Sequence, residues 1–91
     1  MSRAQAISNA EQCFDSGEFR SVLARRVAIP TESQNPDRAD ALATYLATEM
    51  QPAFEAMGFR CETLTHDKAR APFLYAERIE DPALPTVMGY G

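Results

Sequence analysis

At Gly58 the hydrophobic pattern of this chain changes period, and that change restricts the folds open to it. Upstream, Ala39, Leu42, Leu46, Met50, Ala53, Phe54 and Met57 recur at helical spacing in one continuous stripe. Downstream, Phe59-Arg60-Cys61-Glu62-Thr63 alternates apolar and polar, as a strand with one buried face does. A stripe of helical period that passes directly into alternation predicts a helix packed on a sheet. Glycine at the junction suits the position just past a helix C-terminus, where the backbone turns left-handed.

The start of the striped helix is equally well marked. Asn35-Pro36 supplies an N-cap and a proline at the first helical position, and Asp37 and Asp40 suit the positive end of the helix dipole. From there to Gly58 a helix would run about 33 Å. Pro52 interrupts it, because proline lacks the donor for the Thr48 carbonyl and its ring crowds the same turn. The stripe keeps its phase across Pro52, so a bend near Thr48–Pro52 is expected rather than a break.

Before this helix, residues 3–14 are alanine-rich, with Ile7, Ala10 and Phe14 on one face, and read as a short helix. Asp15 then has the character of an N-cap for a second helix, with Glu18 as its capping-box partner and Phe14 and Phe19 at the flanking staple positions. Phe19, Val22, Leu23 and Val27 give that helix an inward face and leave Arg20, Arg25 and Arg26 to solvent. Pro30 ends it by disfavouring helical backbone at Ile29.

After Gly58, Leu64 and Thr65 extend the first strand. His66–Pro72 is a polar loop, Phe73–Ile79 a second strand, and Glu80–Leu84 a turn. Pro85–Gly91 follows with Val87, Met88 and Tyr90 as a short apolar run suited to burial on both faces, so it reads as the innermost strand. The expected fold class is therefore α/β: N-terminal helices followed by three strands, in one domain spanning residues 1–91. A chain of this length buries only ~60–65% of the surface its unfolded form exposes, so the core should be thin.

Composition narrows the function classes. With 45% apolar and 24% charged residues the chain is globular rather than disordered. A net charge of -4 opposes nucleic acid as a partner, since phosphate binding needs a basic face. No window approaches the ~18 apolar residues of a membrane span, and Met1–Gln5 opens no apolar signal region, which makes the cytoplasm the expected compartment. Cys13 and Cys61 are distant in sequence and each sits in a pattern that treats it as a small hydrophobe, so free thiols are expected. Neither has a Cys or His at metal-ligand spacing.

Candidate chemistry is sparse. His66 beside Asp67 has the elements of a general base but sits in a polar loop, where a solvated loop histidine is the simpler reading. Glu77, Glu80 and Asp81 form an acidic group, although Asp81-Pro82 is explained by turn chemistry. Ser33 lacks the glycine-flanked elbow of a serine hydrolase, and Gly89-Tyr90-Gly91 lacks the length and basic residue of a phosphate loop. No residue is therefore assigned as catalytic, substrate-binding or metal-ligating.

The order of segments carries more information. A helix runs into Leu23-Ala24-Arg25-Arg26-Val27-Ala28-Ile29-Pro30-Thr31-Glu32-Ser33, a second ends at Gly58-Phe59, Pro72-Phe73-Leu74-Tyr75-Ala76 follows, and Pro85-Thr86-Val87-Met88-Gly89-Tyr90-Gly91 comes last. Over roughly Ser21–Gly91 this resembles the N-terminal part of the catalytic domain in the aminoacylase, carnosinase and acetylornithine deacetylase family of zinc-dependent exopeptidases and deacylases. In that family an Ile-Pro-Ser/Thr-x-Ser loop follows the first long helix and a Pro-Thr-Val-type strand ends in Tyr-Gly. The resemblance implies a helix-flanked central sheet and a two-zinc site that hydrolyses amide bonds of dipeptides or N-acyl amino acids.

The same resemblance places the first zinc histidine, in a His-x-Asp motif, immediately after the Tyr-Gly, with the bridging carboxylate and the glutamate base further on. All of these would fall beyond Gly91, so no family site residue maps onto this chain. The expectation is a segment that binds no catalytic zinc and hydrolyses nothing by itself, whose partner is the rest of its own catalytic domain. Its last strand would expose an apolar edge able to self-associate, and its stability would lie near the low end of ~5–15 kcal/mol. The alternative is a self-contained small α/β module for binding or assembly.

Overall fold

The computed structural model describes residues 1–91 and joins helices to a small sheet. In chain order these are α1 (Arg3–Asp15), α2 (Glu18–Val27), a 3-10 turn (Pro36–Arg38), α3 (Ala39–Tyr45), a π-helical turn (Leu46–Met50), α4 (Gln51–Ala56), β1 (Arg60–Leu64) and β2 (Phe73–Glu77). The class is α/β, as the change of period at Gly58 requires.

Helix α1 begins where Ser2 Oγ accepts from the Gln5 amide at 3.1 Å. Its end differs from expectation, because Asp15 remains inside α1 and caps nothing. The turn is made instead by Ser16 and Gly17. The Ser16 amide donates to the Gln12 carbonyl at 2.9 Å and the Gly17 amide to Phe14 at 3.1 Å. Gly17, at φ 84°, then closes α1 and opens α2, a conformation that costs glycine nothing. The Phe14 and Phe19 rings do approach across this corner, with centroids 6.3 Å apart.

Asn35 caps the next helical stretch as its sequence predicts, its side-chain oxygen accepting from the Asp37 amide at 3.0 Å. The disturbance expected near Pro52 takes the form of the π-helical turn. Backbone at Tyr45, Met50 and Gln51 stays helical, and the Gln51 amide reaches back to the Leu46 carbonyl. The wider ladder accommodates the missing proline donor without expelling Gln51 from the helix.

At the far end, Gly58 at φ 85° forms a Schellman cap. Its amide donates to Glu55 at 2.9 Å, and the Phe59 amide donates to Phe54 at 3.1 Å. The same two phenylalanines meet edge to face with centroids 5.3 Å apart, the hydrophobic contact that accompanies this motif. Arg78 Nη1 adds a donor to the Met57 carbonyl at 2.6 Å.

Strands β1 and β2 pair antiparallel, with Arg60 opposite Glu77, Glu62 opposite Tyr75 and Leu64 opposite Phe73 on one face. Cys61 and Ala76, with Thr63 and Leu74, occupy the other face. Cys61 lies under α4, its thiol 3.9 Å from the Gln51 carbonyl.

The sheet has two strands, not three. Pro85–Gly91 forms no strand, and Val87, Met88 and Tyr90 are at least nine-tenths exposed. An apolar run becomes an inner strand only when a ladder partner and covering layers exist on both sides. Here α4 packs against the hairpin and nothing encloses the final segment.

The core is thinner than the sequence suggests. No apolar side chain is fully buried, and the inward face expected of α2 is open at Phe19, Leu23 and Val27. The accessible surface is 7767 Å², where a compact chain of this length would show about 5,300 Å². The radius of gyration, 15.9 Å, likewise exceeds the roughly 12 Å of a closed domain.

Candidate functional site

Two clefts flank the segment between α2 and α3, the Ile29–Ser33 stretch on which the family resemblance partly rests. The larger, about 480 Å³, is lined by Ser33, Gln34, Asn35, Pro36, Ala39, Leu42 and Arg70. Arg70 reaches in from the loop before β2 and donates from Nη1 to Gln34 Oε1 at 3.3 Å, tying the two loops together. Glu32 faces Arg38 at 3.8 Å beside it. The second cleft, about 340 Å³, lies between Leu23, Arg26, Val27, Thr31 and Tyr45. Each has an arginine in its lining, Arg70 in the larger and Arg26 in the smaller, beside a few apolar residues.

The one buried residue of the chain is Glu49. It projects from the π-helical turn and accepts from Arg25 Nε at 2.6 Å and 3.1 Å through its two carboxylate oxygens. Arg25 is exposed, as its sequence assigns it, but nothing in the sequence singled out Glu49 as its partner, because the pair is 24 residues apart. Arg26, also assigned to solvent, is half-buried with its Nε inaccessible and unpartnered.

The histidine and carboxylates picked out by sequence go separate ways. His66 Nδ1 accepts from the Lys68 amide at 3.0 Å, and its carbonyl accepts from Ala69 at 2.9 Å, so the ring closes a turn. Asp67 lies 3.5 Å from that same nitrogen, which is already occupied, and both side chains are exposed. This is not the arrangement of a base oriented by a carboxylate. Glu80 pairs with Arg78 at 2.6 Å, and Asp81 Oδ1 accepts from the Ala83 amide at 2.9 Å in a side-chain turn. Ser33 lines the larger cleft without a histidine beside it.

Glu77 belongs to a third group, on the open face of the sheet. Its Oε2 accepts from the Tyr75 hydroxyl at 2.8 Å and from Arg60 at 3.4 Å. The hydrogen bond to Glu77 and then its negative charge raise the Tyr75 hydroxyl above the ordinary phenol value of 10.0.

A two-zinc site needs several histidine and carboxylate ligands converging on strand-end loops. No group of three or more His, Cys, Asp or Glu side chains converges in this chain, so its residues do not fit such a centre. Cys13 and Cys61 are half-buried free thiols. No helix is long and apolar enough to cross a membrane. Comparison with protein-family models, with curated proteins and with solved structures found no match to this chain.

Proposed function

We propose that this chain is the scaffold-forming N-terminal segment of a zinc-dependent amidohydrolase domain acting on dipeptides or N-acyl amino acids, and that it supplies no metal ligand itself. The observation that carries the reading is the unclosed core. An accessible surface about 2,500 Å² above that of a compact chain is what a helix-and-hairpin unit shows when further strands and helices of one catalytic domain normally cover it. The ordered likeness of Leu23–Ser33, Gly58-Phe59, Pro72–Ala76 and Pro85–Gly91 to the zinc exopeptidases supports this kind of domain. In that role the α2–α3 grooves and the open face of the sheet pack against the remainder of the domain, and the metal chemistry belongs to that remainder.

The test is to read and express the coding frame past Gly91. A continuation that opens with His-x-Asp, and whose product takes up zinc and cleaves an N-acyl amino acid or dipeptide, supports the proposal. Stoichiometric tight zinc binding, or amide hydrolysis, by residues 1–91 alone would overturn it.

A further inference from the structure

Arg25, Arg38, Arg60 and Arg78 each face a carboxylate of the chain. Arg26, half-buried near the end of α2, makes no such pair, and its Nε has neither exposure to water nor a hydrogen-bond partner. A guanidinium that gives up hydration without a partner is costly, and an arriving anion offsets that cost. The surroundings of Arg26 specify the anion. It lines the smaller cleft, about 340 Å³, with Leu23, Val27, Thr31 and Tyr45. Leu23 is 48% and Val27 73% exposed, so aliphatic surface stands open beside the charge. Thr31 and Tyr45 bring hydroxyl donors to the same lining. The adjacent Arg25 is already neutralised by Glu49 at 2.6 Å. One free positive charge among aliphatic side chains matches a carboxylate on an apolar stem rather than the doubled charge of a phosphate.

We propose that this groove seats an aspartate or glutamate side chain, with an aliphatic neighbour, from the rest of the catalytic domain. The source of the acid rests on the proposed function, whereas the chemistry of the groove does not. Because Nε is closed off by the chain itself, the incoming carboxylate is met by the two Nη atoms as a fork. Its aliphatic neighbour covers Leu23 and Val27. Once the joint is closed the pair is shielded from water, so Arg26 then carries more of the stability than it does in the open chain.

Titration of the 91-residue chain with isocaproate, a carboxylate on a branched aliphatic stem, tests the groove by itself. The methyl resonances of Leu23 and Val27 should shift saturably, isocaproamide and inorganic phosphate should not reproduce the shift, and Arg26→Met should abolish it. Urea unfolding of Arg26→Met tests the occupant, in the product of the coding frame read past Gly91. The variant should lower the folding constant of that longer chain at least about tenfold more than it lowers that of the 91-residue chain. No saturable shift, or equal shifts with acid and amide, would overturn carboxylate recognition at the groove. Equal effects of Arg26→Met in the two chains would overturn an acid of the same domain as its occupant. A longer product that takes up no zinc yet shows the larger Arg26→Met loss would sink the hydrolase reading and leave the paired acid in place.

Discussion

Arg25 and Glu49 face each other across unequal environments: the carboxylate is 9% exposed and the guanidinium 60%. The bond joins α2 to the π-helical turn, and the two ends respond differently to loss of the partner. Removing Arg25 strands a negative charge away from water, whereas removing the charge of Glu49 returns Arg25 to solvent. Arg25→Met should therefore destabilise by about 2 kcal/mol and Glu49→Gln by about 1 kcal/mol, both reduced from buried-pair values because Arg25 is largely solvated. Urea unfolding of the two variants checks the order. Equal losses, or a larger loss for Glu49→Gln, would contradict this account of the pair.

The helix corner at Gly17 offers a test of where capping resides. Asp15→Ala, which a capping-box reading of the sequence puts at ~1 kcal/mol, should change stability by only a few tenths, because Asp15 caps neither helix. Gly17→Ala should cost about 1 kcal/mol from its left-handed backbone alone, since a Cβ there meets nothing within 4 Å. Thermal melts monitored by helical circular dichroism compare the two directly.

The Schellman cap predicts a paired effect. Gly58→Ala imposes the same kind of strain, and its Cβ would touch Arg78 at an ordinary 3.8 Å, so the loss should again be about 1 kcal/mol. Phe59→Ala should cost more, roughly 2 kcal/mol, since it loses both apolar burial and the edge-to-face contact with Phe54. Chemical denaturation measures both, and a neutral Gly58→Ala would mean that the helix does not end in this cap.

The Tyr75 hydroxyl gives the hairpin a pH dependence at the alkaline end. Its pKa is raised in the folded chain by the hydrogen bond to Glu77, so folding favours the protonated phenol. That contribution is complete below the unfolded phenol value near 10 and is lost as pH rises through the folded value. Tyr75→Phe should flatten the alkaline limb of stability against pH and lower neutral stability only by the small amount that an exposed hydrogen bond contributes. Ultraviolet titration of the phenolate, together with melts above pH ~9, checks the sign.

Local physical chemistry made much of the fold legible. The Asn35 cap, the glycine cap at Gly58 and the approach of Phe14 to Phe19 depend on side chains within a few residues of one another, and each is present, as are the two strands that alternation marks at Arg60–Leu64 and Phe73–Glu77. The Asp15 cap failed because Ser16 and Gly17 compete for the same turn, and a left-handed glycine settles the contest two residues later. His66 read correctly as an exposed loop residue, and the structure adds that its ring is engaged by the Lys68 amide.

Tertiary structure alone decided the rest. The Arg25–Glu49 bond links segments with no shared periodicity, and sequence offers no signal for which of several arginines will reach an acid on another helix. Pro85–Gly91 has the composition of an inner strand, yet strand formation requires hydrogen-bond partners and covering layers that composition does not supply. By itself the sequence determined helices, caps and the positions of two strands, because those follow from side chains within a few residues of chain. Whether the apolar faces close into a core depended on what lies against them in space, and in this chain they stay open.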